Sequence, residues 1–176
     1  MNTNGCPLRP LPHANFRTSF TDVVMRCLAV PVVCAVIILM SGCGSPEPRA
    51  ITYGQEDCHS CKMRITDRKF GAELVTSTGK TYVFDAPECM LGSVRSGKPV
   101  SKDNIHSLWV TDFVRPGTLI NAQTAFYLES EMIRSPMGMN VAAFSIASDR
   151  DRAALSFPGS ARNYDAVYEL AADYEE

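Results

Sequence analysis

The chain has 176 residues and a formal net charge of −2, from 17 lysines and arginines against 19 acids. So small an imbalance, with no basic cluster, excludes nucleic acid as the partner class. With 45% hydrophobic residues the chain can bury a core, and the part after its N-terminal segment suits one domain.

An apolar run from Cys27 to Met40 follows Arg26. It is shorter than the roughly 20 residues that a membrane-spanning helix needs. It ends in Leu39-Met40-Ser41-Gly42-Cys43, where small residues directly before a cysteine resemble the lipobox of bacterial lipoproteins. Residues 1–42 therefore read as a signal peptide, with Met25 an alternative start, and Cys43 as the palmitate-bearing first residue of the mature protein. An uncleaved anchor helix is the competing reading, and either version puts the domain on the periplasmic side of a bacterial membrane. Gly44, standing where an aspartate would signal inner-membrane retention, tilts the address toward the outer membrane. Residues 43–54, with two prolines and no apolar pattern, form a tether, and residues 55–176 form the folded domain.

From Ala72 to Phe84, apolar and β-branched residues flank Thr78-Gly79, which predicts a hairpin. A helix follows, with Asp85 to cap it, Pro87 at an early position, Glu88 three residues after the cap and Gly97 to end it. Strands are expected over Ile105–Phe113 and Ile120–Leu128, separated by Arg115-Pro116-Gly117, and over Val141–Ala147. Ser148 offers the cap of a second helix that ends at Pro158, and a short terminal helix starts near Asn163. A strand ending in Phe84 with its capped helix is echoed by a strand containing Phe144 with another. The fold class is α+β, built from two related hairpin-plus-helix units with small antiparallel sheets.

Cysteine use carries the chemistry. The chain has 7 cysteines; Cys6, Cys27 and Cys34 leave with the signal peptide, Cys43 takes lipid, and Cys58, Cys61 and Cys89 remain. An odd set of thiols outside the cytoplasm leaves at least one unpaired within the chain. Cys58-His59-Ser60-Cys61-Lys62-Met63 has neither strand nor helix periodicity and reads as a loop with reachable side chains. Thiolate and thioether are soft donors that favour Cu(I). The Cys58/Cys61 spacing also matches half of a zinc site, but no second pair at suitable spacing follows in the sequence. Met137 and Met139 lie on a turn marked by Pro136 and Gly138, where they either bind metal or cover apolar surface. Cys89 and Met90, on an amphipathic helix, read first as core residues, and His59 and His106 as polar surface residues. A thiol–disulfide oxidoreductase using Cys58 and Cys61 is the alternative function, although such pairs begin a helix and here a hairpin follows. A disulfide between them would close too small a loop to add much stability.

Cys61-x-Met63 with Ile65-Thr66-Asp67, Phe84-Asp85 with Cys89-Met90, and Pro136-Met137-Gly138 ahead of Phe144 occur in an order that resembles the NosL family of copper lipoproteins. The resemblance implies a pair of ββαβ units and a non-enzymatic Cu(I) carrier. Its expected task is assembly of the copper centres of nitrous oxide reductase, in denitrification, together with membrane-bound maturation machinery. It implies Cys61, Met63 and Met137 as the ligands, with Cys58 as a further candidate; Met139 lies outside the matching motif and is a candidate only by its place on the same turn.

Overall fold

Ala72–Thr76 (β1) and Thr81–Phe84 (β2) pair antiparallel, with Ala72 opposite Phe84 and Val75 opposite Thr81. The turn between them places Gly79 at φ +82°, a conformation that costs a residue with a Cβ. A helix, α1 (Pro87–Ser96), follows at once and ends on Gly97 at φ +69°. The structure, a computed structural model, describes residues 46–174; the expected signal peptide and Cys43 lie outside the described residues.

After a 3-10 turn at Lys102–Asn104 the chain forms β3 (Ile105–Thr111) and β4 (Leu119–Asn121). Next come β5 (Phe126–Glu129), β6 (Val141–Phe144), α2 (Ala147–Ala154), β7 (Ser160–Arg162) and α3 (Tyr164–Leu170). The first sheet has the order β2-β1-β3-β4 and the second β6-β5-β7, all antiparallel. In each sheet the first strand of a unit is central, flanked by its hairpin partner and by the strand that follows the helix. These are two ββαβ units, β1-β2-α1-β3 and β5-β6-α2-β7, as expected for an α+β fold. A single parallel bridge between Asp112 and Ala143, with the Phe113 amide donating to the Ala143 carbonyl at 2.8 Å, stitches the two sheets together.

Several expectations are corrected. The strand expected over Ile120–Leu128 is two strands in different sheets. Asn121 accepts from the Gln123 amide at 2.9 Å through its side chain, and this Asx turn breaks the run between them. Strand β7 has no counterpart among the expected strands. Gly159 admits it, since a Cβ there would stand 2.0 Å from the Glu129 carbonyl oxygen. Helix α1 is capped at Ala86 without a side-chain bond, so Asp85 lies just outside it. Helix α2 starts at Ala147 with Ile146 at its cap and ends at Ala154, placing Ser148 inside the first turn. Asn163 does cap α3, accepting from the Ala166 amide at 3.0 Å. Residues 49–54 belong to the fold and not to a tether. The Arg49 amide donates to Glu73 at 3.0 Å, and Ile51 is buried in the core.

Helix α1 lies on the first sheet with Met90 and Leu91 against Leu74, Phe84 and Leu108 in one apolar cluster. Each such side chain contributes roughly 1.5–3 kcal/mol by leaving water. That burial fixes the helix at the end of β2, and so fixes the position of its first turn.

Candidate metal centre

The cysteine segment is a small, closed loop held by backbone bonds. Asp57 and Arg64 form an isolated antiparallel bridge, and the Cys58 amide donates to the Met63 carbonyl at 2.8 Å. Lys62, at φ +63°, makes the reversal between them, and its amide donates to the Cys58 carbonyl at 3.2 Å. The loop docks on the edge of β2 through the His59 amide, 2.8 Å from the Val83 carbonyl, while the His59 ring meets Tyr82 edge-on at 4.7 Å. Strand β2 then leads within a few residues into Asp85 and the first turn of α1. Loop and helix are thus brought face to face by a few local contacts.

There the structure gathers Cys58, Cys61, Asp85 and Cys89, whose candidate donor atoms all lie within 4.8 Å of one another. Cys58, Cys89 and Asp85 are buried and Cys61 is half-exposed, so the group is a pocket with one sulfur at its mouth. A metal–thiolate bond of about 2.3 Å allows two sulfurs on one ion to stand up to about 4.6 Å apart, so this group needs little closure to hold one.

The electrostatics resist ionising all three thiols together. The Cys89 thiol hydrogen-bonds Cys58, and this draws the Cys58 thiol down to about 7. The same bond, with burial and the neighbouring carboxylate, pushes Cys89 up. Burial pushes Cys61 up to about 12, helped by the negative charges of Cys58 and Asp85. The Cys61 thiol donates to Asp85 Oδ2 at 3.5 Å, whereas Asp85 Oδ1 is buried without a partner. A cation among these groups would offset the repulsion and let the thiols lose their protons.

Of the residues expected at a metal site, the structure puts Cys58 and Cys61 in this pocket. Met63 is exposed on the outer arm of the same loop, its carbonyl bonded to Cys58. Met137 is half-buried against the core cluster that contains Cys58 and Cys89, and its amide donates to Glu88 Oε1 at 3.3 Å, on the helical turn that carries Cys89. Met139 is buried in that core, as is Met90. His106 is exposed, its Nδ1 3.1 Å from Ser107 Oγ. The residues that sequence reasoning passed over are Cys89, taken for core, and Asp85, taken for a helix cap. The signal that could have found them is their four-residue separation, which puts both near the first turn of a helix beginning at Pro87. They also remove the sequence argument against zinc, because they supply the second pair of donors that the spacing lacked.

A family model, NosL, matches residues 48–171. The chain belongs to the NosL family. Comparison with curated proteins gives no match. Among solved structures the fold is similar to the crystal structure of the copper chaperone NosL from Shewanella denitrificans. That similarity has a TM-score of 0.57 at 22% identity, covering 69% of this chain and 96% of that chain. The two ββαβ units and the loop-on-helix junction of this NosL-family chain sit inside the matched residues.

The pocket geometry predicts unequal thiol reactivity in the reduced, metal-free protein. Although Cys58 is the more readily ionised thiol, Cys61 at the mouth should react first with an aromatic disulfide reagent, and Cys61→Ser should abolish the fast phase. Equal rates for all three thiols would contradict the closed loop.

Proposed function

We propose that this protein is an exported lipoprotein that carries Cu(I) on sulfur and delivers it for assembly of the copper centres of nitrous oxide reductase, with membrane-bound maturation machinery as its partner. The observation that supports this most is the convergence of Cys58, Cys61 and Cys89 on one half-open pocket. Thiolates at this spacing suit a soft monovalent ion, and the methionines beside them suit it further. Membership of the NosL family and the likeness of fold to a copper chaperone point the same way.

In this reading Cys61, Met63 and Met137 hold the ion, with Cys58 and Cys89 behind Cys61 as additional thiols. No bond-making chemistry is required; the ion leaves by ligand exchange. Met63 is exposed and Cys61 sits at the mouth, so an incoming ligand can meet the ion from solvent while the inner thiols stay covered. Because Cys61 and Cys89 hold their protons in the free protein, loading releases protons and Cu(I) affinity rises with pH.

Zinc is the second reading that a specific observation favours, since three thiols and a carboxylate within 4.8 Å of one another make a four-donor set of a kind that zinc also accepts. The oxidoreductase reading fares worse. Cys58, the thiol with the lowered pKa, is buried, and the pair lies on a loop closed by its own backbone bonds and not at a helix start.

An anaerobic titration of the reduced protein against a competing Cu(I) chelator separates these readings. One Cu(I) should bind per chain, with affinity lowered about 10- to 100-fold or more in Cys61→Ala, and a matching excess of Zn(II) should fail to displace it. Displacement by Zn(II), or full Cu(I) affinity in Cys61→Ala, would contradict the assignment.

The address is tested separately. Cys43→Ser should block lipid attachment and leave the precursor unprocessed. Recovery of normally processed, lipid-modified protein from that variant would remove the anchor from the proposal.

A further inference from the structure

The pocket thiols come from the loop before β1 and from α1, both in the first ββαβ unit. Met137 comes from the connection between β5 and β6 in the second. Within their shared apolar cluster, the Met137 turn and the cysteine-bearing helix are hydrogen-bonded through one buried residue. Glu88 is fully buried on the first turn of α1, next to Cys89, and its Oε1 accepts from Ser135 Oγ at 2.5 Å and from the Met137 amide at 3.3 Å. Its Oε2 is buried with no partner.

The methionine turn is organised around that carboxylate. Ser135 Oγ also accepts from the Asn140 amide at 2.8 Å, and the Gly138 amide donates to the Ser135 carbonyl at 3.1 Å. Gly138 at φ +88° and Asn140 at φ +58° complete a tight reversal, whose exit is tied to β5 by the Ser130 amide donating to Asn140 at 3.0 Å. The turn is therefore closed by its own hydrogen bonds, and Glu88 is hydrogen-bonded to it from the helix that carries Cys89. An apolar residue would fill such a buried position without leaving a carboxylate oxygen unpaired, so stability alone does not account for an acid here.

We propose that Glu88 is a positioning residue of the metal site: it locks the Met137 turn of the second unit onto the cysteine-bearing helix of the first. Resting on the Cu(I) reading above, this makes Met137 a ligand by way of Glu88. The acid does not touch the ion. It sets where the thioether can be. Loss of the carboxylate frees the turn, and Met137 then drops out of the metal's surroundings while the cysteine pocket keeps its form.

The test uses the full chain in detergent, reduced, with 13C-methyl methionine. In the unaltered protein, adding Cu(I) should shift the Met137 methyl resonance, identified by its loss in Met137→Ala. In Glu88→Ala that shift should vanish and Cu(I) affinity fall about 10- to 100-fold, the usual range for residues that orient a metal ligand. Glu88→Gln, which keeps a carbonyl oxygen for Ser135 and Met137, should restore both. The double variant Glu88→Ala/Met137→Ala should bind no more weakly than Met137→Ala alone. Ser135→Ala, a milder cut in the same link, should reduce the shift in the same direction and serves if Glu88→Ala fails to fold. A Met137 shift that persists in Glu88→Ala or, failing that variant, in Ser135→Ala, or additive losses in the double variant, would overturn the role of Glu88 while leaving Cu(I) binding intact. Absence of Cu(I) binding by the unaltered chain would overturn both.

Discussion

Everything at the candidate site depends on the docking of a short cysteine loop against the end of β2. The bond from the Cys58 amide to the Met63 carbonyl closes the loop, and the bond from the His59 amide to Val83 seats it on the first sheet. The hairpin register then fixes the rest, because Phe84 opposite Ala72 is the last paired residue and Asp85 and Cys89 follow at fixed distances along the chain. A slip of β2 by one residue would exchange its two faces, expose Phe84 and turn Asp85 away from the thiols. The same register that buries the core therefore assembles the pocket.

The site is not built for stability alone. Three buried carboxylate oxygens, on Glu73, Asp85 and Glu88, have no hydrogen-bond partner among the described residues, and two of these acids belong to the pocket and its support. Burying an acid without full pairing is costly. At the pocket it bears on the neighbouring thiols. Burial, the Cys58 sulfur and the Asp85 carboxylate favour the protonated Cys61 thiol, and the bond to Cys58 with burial favours the protonated Cys89 thiol, so further negative charge there is opposed unless a cation offsets it. An arrangement of this kind is lenient to a cation and hostile to an anion.

Much of the fold could be read from the sequence because its local signals agree with its packing. Thr78-Gly79 makes the first hairpin, Gly97 ends α1, and Asn163 caps α3, each by a backbone requirement that few residues meet. The strand break at Asn121 was hidden because alternation of apolar residues runs through the Asx turn almost unbroken. Strand β7 is three residues long and mostly exposed, with no pattern to mark it. At the site, Cys61 and Met63 stand out as soft donors in a loop, whereas Asp85 and Cys89 have ordinary local explanations as a cap and a core residue. Only the contact between loop and helix, which links residues far apart in sequence, shows that they share a pocket. Glu88 likewise has an ordinary local explanation as half of a capping pattern, because its partners Ser135 and Met137 are 47 and 49 residues away.

X-ray absorption at the copper edge of the Cu(I)-loaded chain tests the central claim most directly. The account predicts a single copper with a first shell of sulfur only, at about the metal–thiolate distance of 2.3 Å. A first shell dominated by nitrogen or oxygen would contradict it, because it would place the ion away from the pocket formed by Cys58, Cys61 and Cys89.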